Sequence, residues 1–139
     1  MRERLVTAGL RVTAPRVAVL ESIPNGTHRP VDAIAQAVRL RIGSVSTQAI
    51  YDVLRALTAA GLLRRIEPAG MPALYENRVA DNHHHLICRA CGAIEDVDCV
   101  AGAAPCLDSF PQPAGFAVDE AEVTFWGICP ACTPKPSTD

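Results

Sequence analysis

Two Cys-x-x-Cys pairs, Cys88-Arg-Ala-Cys91 and Cys129-Pro-Ala-Cys132, constrain this chain more than any other feature. A two-residue spacer lets two thiolates converge on one ion. Two such pairs supply the tetrahedral all-sulfur shell that zinc prefers. Gly92 follows one knuckle, and Gly127 and Pro130 shape the other. The pairs are separated by 37 residues, too many for a plain zinc ribbon, so the ion is expected to tie the last strand of a small domain to its first. Four thiolates leave no open coordination position, which makes the role structural. The competing reading is one redox Cys-x-x-Cys beside an accidental second pair. Cys99 and Cys106 stand outside the set. They read as small buried residues or as an auxiliary thiol switch, and no basic residue lies near either in sequence to stabilise a thiolate.

Charge divides the chain at the same place. Residues 1–78 carry 11 arginines against 6 carboxylates, whereas residues 79–139 carry 2 basic and 9 acidic groups. A basic half fused to an acidic half suggests that only the first meets a polyanion. No stretch of about 18 apolar residues is present, so no membrane span is expected. The start, Met1–Leu5, lacks the apolar core of a signal peptide. A cytoplasmic protein is the expectation, and structural disulfides are disfavoured in that compartment.

Hydrophobic periodicity predicts four helices and then a hairpin. The first is short, Arg2–Ala8. Thr13-Ala-Pro reads as an N-cap with proline in the first turn, starting a helix that runs to about Ser22 with Val17, Leu20 and Ile23 inward. A third begins near Val31, with Ile34, Ala35 and Val38 on one face. A fourth begins after Ser46, with Ile50, Val53, Leu54 and Leu57 as its buried stripe and Gly61 as its stop. Leu62–Glu67 and Ala73–Asn77 read as two strands. Helices followed by a small hairpin give the order of a winged helix-turn-helix.

The predicted architecture is α+β, with a winged helix over 1–78, a hinge at 79–82 and a small α/β domain over 83–139. In that second domain the pattern predicts strands near His84–Cys88, Ile94–Asp96 and Phe116–Ile128. It also predicts a helix over Val100–Phe110 broken by Pro105, and a disordered tail from about Thr133.

Three consecutive histidines precede the first knuckle. In an extended segment His83 and His85 share one face while His84 points away. Two imidazoles on one face suit a borderline metal such as iron, manganese or zinc, and Asp96 on the neighbouring strand adds a carboxylate. His28, the one other histidine, sits at the entrance to the third helix. The plainer alternative is a surface histidine run.

The fourth helix presents Thr47, Gln48, Tyr51 and Arg55 opposite its apolar stripe. Hydroxyl, amide and guanidinium groups at a helix N-terminus suit phosphate and base-edge contacts in a major groove. Arg11, Thr13 and Arg16 are candidates for phosphate contacts from the flank, and Arg64 and Arg65 from the hairpin. Without the basic half behind it, the same face reads as an ordinary solvated surface.

These segments together resemble the Fur family of metal-dependent bacterial repressors. Gly9-Leu-Arg-Val-Thr-x-x-Arg16 is similar to its N-terminal signature, and His28-x-x-x-Asp-x-Ile34 to the loop entering its third helix. Gln48-Ala-Ile-Tyr-Asp-Val-Leu-Arg55 and the following Gly61-Leu-Leu63 resemble its recognition helix and exit. His83-x-His-x-x-Cys-x-x-Cys-Gly92 is the most specific match. The resemblance implies a homodimer with a C-terminal dimerisation domain. It also implies a regulatory metal site of His28, Asn77, His83, His85 and Asp96 holding the DNA-binding lobes in the geometry of a palindromic operator. Metal and DNA would then favour the same conformer, each strengthening the other's binding.

An Asp at position 96 resembles the peroxide-sensing PerR-like subgroup, and an actinomycete catalase regulator of the CatR type would suit the arginine-rich composition. In that subgroup Fe(II), with Mn(II) or another divalent ion as an alternative occupant, holds the site. Peroxide oxidises a ligand histidine, His28 or His83 by resemblance, and the operator of catalase and other defence genes is released. Asn77 departs from the aspartate of that subgroup, and Glu76 or Asp81 are the candidates to compensate. The segment Val118–Val123 lacks a histidine that many relatives place there. Iron, zinc or nickel uptake regulation on the same scaffold is the nearest alternative. A metalloenzyme built on the histidine cluster, or a zinc-stabilised interaction module without DNA, stands further off.

Overall fold

The computed structural model describes residues 1–81, 83–98, 114–118 and 120–134. It divides into two units, Met1–Ala80 and Asp81–Asp139.

The first unit carries four helices, α1 (Arg2–Thr7), α2 (Ala14–Glu21), α3 (Val31–Ile42) and α4 (Thr47–Ala59), and three short strands, β1 (Arg29–Pro30), β2 (Arg64–Ile66) and β3 (Leu74–Glu76). The starts of α2 and α4 are set by side chains that satisfy free backbone donors. Thr13 Oγ1 accepts from Arg16 N at 3.3 Å, and Ser46 Oγ accepts from Ala49 N at 3.1 Å. Gly61 terminates α4 in the left-handed region, at φ +75°. Its N–H donates to Thr58 O and that of Leu62 to Leu57 O, the paired bonds of a Schellman motif.

Leu5, Leu20, Ile23, Ile34, Val38, Ile50, Leu54 and Leu57 are fully buried and pack into one core. Each contributes about 1.5–3 kcal/mol of apolar burial. Val17 and Val53, expected inward, are only partly buried, because Ala18 and Val19 on α2 and Leu57 on α4 take the central positions. The sheet order is β1-β3-β2, all antiparallel. Strand β1 has no counterpart in the sequence expectation. Two residues, one of them proline, carry no alternating pattern, and its pairing with β3 is long-range.

The second unit holds β4 (His84–Cys88), β5 (Ile94–Val97) and β6 (Thr124–Gly127), in sheet order β5-β4-β6. Strand β5 pairs antiparallel with β4, and β6 pairs parallel with it, Cys88 lying beside Gly127. Of the long strand expected over Phe116–Ile128, ladder pairing among the described residues spans β6, at the end where the second knuckle begins. The helix expected over Val100–Phe110, together with Cys99 and Cys106, lies outside the described residues, as does the chain from residue 135.

Candidate metal centres and nucleic-acid interface

Parallel pairing of β4 with β6 delivers both knuckles to one end of the sheet. The register continues past Cys88 as Arg89 N donates to Gly127 O at 2.8 Å, and the Arg89 guanidinium lies 5.4 Å from the centre of the Trp126 ring. Gly92, at φ +78°, closes the first knuckle, its N–H donating to Cys88 O at 3.0 Å. In the second, Cys132 N and Thr133 N both donate to Cys129 O.

The sulfurs of Cys88, Cys91, Cys129 and Cys132 all lie within 4.8 Å of one another, and Cys91 Sγ is 3.7 Å from Cys129 Sγ. A tetrahedron with Zn–S bonds of about 2.3 Å has edges of about 3.8 Å, so the four sulfurs fit a zinc ion. Their proton affinities diverge. The backbone N–H of Cys129, donating to Cys88 Sγ at 3.3 Å, and those of Cys91 and Ala90 stabilise the Cys88 thiolate and lower its pKa to about 6 against the opposing effect of burial. Cys132 is pushed up to about 12, chiefly by hydrogen bonding with the Cys129 and Cys91 sulfurs. Thiols this close cannot all ionise without a cation among them, and a dication removes that penalty.

The histidines are set by the neighbouring pair of strands. His85 stands opposite Asp96 in the β4–β5 ladder, so both side chains leave the same face. Asp96 Oδ1 lies 3.6 Å from His85 Nε2 and 3.7 Å from His83 Nε2. The two imidazoles meet edge to face at 4.8 Å, and Asp81 Oδ1 lies 2.8 Å from His83 Nδ1. That carboxylate orients the His83 ring, leaving Nε2 directed to the Asp96 side. All three histidines of the run are buried, which rules out a solvated surface stretch.

In the first unit, β1 supplies the placement that sequence reasoning missed. Arg29 pairs with Tyr75, so the next position of the antiparallel register sets His28 against Glu76. His28 Nε2 lies 2.6 Å from Glu76 Oε2, with both side chains at most 5% exposed. Asn77, the residue expected to be a ligand, is one step further along the chain. Its Nδ2 donates to Ile23 O at 2.8 Å, which ties the end of β3 to the end of α2. Glu76, one of the two carboxylates expected to compensate for Asn77, is the one beside His28.

The candidate DNA face lies on α4. Thr47, Gln48, Tyr51 and Arg55 are exposed, and Ile50, Leu54 and Leu57 are buried behind them. Arg39 Nη2 donates to Thr47 Oγ1 at 3.2 Å. Tyr51 and Arg55 line a cleft with Arg65 of β2. Arg11 is exposed, and its carbonyl accepts from Arg16 Nη1 at 2.8 Å, while Thr13 serves as the α2 cap. Asp52, which the sequence did not single out, accepts from both Gln48 and Arg55 on the same face. No helix among the described residues is long and apolar enough to cross a membrane.

A family model described as the ferric uptake regulator family matches residues 7–104. The chain is 57% identical over 131 residues to the transcriptional regulator FurA of Mycobacterium tuberculosis, covering 94% of this chain and 88% of that protein. It is 55% identical over 122 residues to ferric uptake regulation protein 1 of Mycolicibacterium fortuitum, covering 88% and 75%. Identity to the peroxide operon regulator of Bacillus subtilis is 30% over 138 residues, covering 96% and 91%. Among solved structures, a zinc uptake regulator complexed with zinc and DNA aligns with TM-score 0.70 at 20% identity, covering 94% of this chain and 89% of that one. The Vibrio cholerae ferric uptake regulator aligns with TM-score 0.65 at 20% identity, covering 92% and 98%.

Proposed function

The chain belongs to the ferric uptake regulator family, whose members are metal-dependent transcriptional regulators and not enzymes, and on that premise we propose that it is a homodimeric repressor of a palindromic operator. Its DNA contacts come from Arg11, Thr13, Arg16, Thr47, Gln48, Tyr51 and Arg55. Zinc at Cys88, Cys91, Cys129 and Cys132 is structural. His28, Glu76, His83, His85 and Asp96 are the proposed donors to a regulatory divalent ion.

The buried pairing of His28 with Glu76 carries this reading. A carboxylate and an imidazole, both almost fully buried at 2.6 Å, form a half-site already dry and oriented. The His83–His85–Asp96 group offers matching donors within its own unit. An ion bound by these donors favours one conformer of the chain. If that conformer fits the operator, metal and DNA strengthen each other's binding by the same factor.

The finer reading is peroxide sensing. Asp96 and the relationship to the Bacillus peroxide regulator support it. Bound iron would supply the redox chemistry that lets peroxide oxidise a neighbouring imidazole. His28 and His83 are the proposed acceptors of oxygen, and an oxidised imidazole is a weaker donor, which releases the operator of catalase and similar genes. A second reading, an iron-responsive uptake regulator, draws on the higher identity to the mycobacterial proteins and on Glu76 standing beside His28.

One experiment separates them. Operator binding is measured with Fe(II) before and after stoichiometric peroxide, with peptide mass spectrometry of the treated protein. The peroxide reading expects loss of binding with one oxygen added at His28 or His83. Retained binding with unmodified histidines sinks it and leaves iron-responsive regulation.

A further inference from the structure

The exposed face of α4 carries one carboxylate, Asp52, in the midst of the groups assigned to DNA. Its Oδ1 accepts from Gln48 Nε2 at 3.0 Å and from Arg55 Nη1 at 3.3 Å. Spacings of four and three residues place all three side chains on one stripe of the helix. A bare carboxylate on a surface that meets phosphates repels the ligand, so charge alone argues against its presence there. Its value must lie in what it holds.

From this geometry we infer that Asp52 is a positioning residue for base recognition, and that it fixes Gln48 to read adenine. The inference rests on the DNA-binding role proposed for α4. An ionised carboxylate only accepts hydrogen bonds, so the Gln48 amide must turn its NH2 group toward Asp52. One N–H of that group is then committed. The second N–H and the carbonyl oxygen remain, one donor and one acceptor on the outward edge of the amide. Adenine presents the complement in the major groove: N7 accepts and N6–H2 donates. A Gln48 amide in the opposite orientation would lose its bond to Asp52. Arg55, drawn to the same oxygen, is held along the helix and keeps its other N–H groups for a phosphate or a guanine edge.

Exposed pairs of this kind add little to stability, so Asp52 can be changed without threatening the fold. The test uses the full chain loaded with zinc and Mn(II), and duplexes selected from a pool randomised across the operator. Wild type, Gln48→Ala, Asp52→Ala and Asp52→Asn are compared by the base preference at each position. Wild type is expected to favour adenine at one position per half-site, and Gln48→Ala to lose that preference. Asp52→Ala should weaken the same preference by about fivefold or more, the scale of one good bidentate contact. Asp52→Asn keeps an acceptor oxygen and should retain the preference, with higher affinity for all duplexes because a repulsive charge is gone.

Full adenine preference in Asp52→Ala overturns the inference, as does a Gln48→Ala protein whose lost preference is for another base or is absent. A wild-type protein that selects no duplex at all overturns the DNA-binding role itself, a different and distinguishable failure.

Discussion

Glu76 and Asn77 are adjacent, yet their side chains do different work because successive residues of a strand face opposite ways. Glu76 meets His28, and Asn77 donates to Ile23 O. Glu76→Gln keeps the shape and removes the charge. It is expected to weaken binding of the regulatory metal by about tenfold or more, read by competition with a metallochromic indicator, while the zinc content stays unchanged. Asn77→Asp tests the opposite assignment. It removes the donor to Ile23 O and sets a carboxylate against a carbonyl, so it should destabilise the first unit by about 1–3 kcal/mol in denaturant unfolding. Tighter metal binding by Asn77→Asp would show that residue 77 is a ligand after all. The histidines and cysteines stood out as candidate ligands from spacing, because their chemistry is written in residue type. Glu76 was only one of two carboxylates that could compensate for Asn77, and its pairing with His28 became visible only once its partner across the sheet was known.

That partner is fixed at the level of elements. The β1–β3 pairing places His28 against Glu76, and β1 is two residues long with a proline in it. Helices α2, α3 and α4 were legible because caps and a 3.6-residue period are local signals. Strand β1 with its β3 pairing and the parallel β4–β6 pairing were not, because both join segments far apart in sequence. Helix α4 shows what a local signal contributes. Ser46 caps its N-terminus through Ala49 N, immediately before Thr47 and Gln48. Ser46→Ala is expected to destabilise the unit by about 1 kcal/mol, with a typical range of about 0.5–2. Operator affinity should fall as the first turn frays, measured by anisotropy beside thermal unfolding. Unchanged stability and affinity would mean that the cap hydroxyl contributes nothing to holding that turn.

Across the whole molecule the two units are stabilised by different means. The first has a continuous apolar core running from Leu5 to Tyr75. Among the described residues of the second, Ile87 and Cys88 are the buried hydrophobic ones, beside three buried histidines. We propose that zinc at the four cysteines staples these strands together. Stripping zinc with a strong chelator is expected to expose the amides of residues 84–97 and 124–127 to hydrogen exchange while those of α2, α3 and α4 stay protected. Uniform loss of protection across both units would contradict that division. The regulatory ion has a separate task. Its proposed influence on DNA is a coupling free energy, which for allosteric pairs is about 1–3 kcal/mol.

The most direct measurement is therefore operator affinity of the zinc-loaded chain with and without Mn(II), by anisotropy at fixed ionic strength, for wild type and Glu76→Gln. Mn(II) should tighten wild-type binding by about 5-fold to 150-fold. Glu76→Gln should need more Mn(II) to reach the same plateau. Equal affinity with and without the ion, at full zinc occupancy, would contradict metal-dependent repression by this chain.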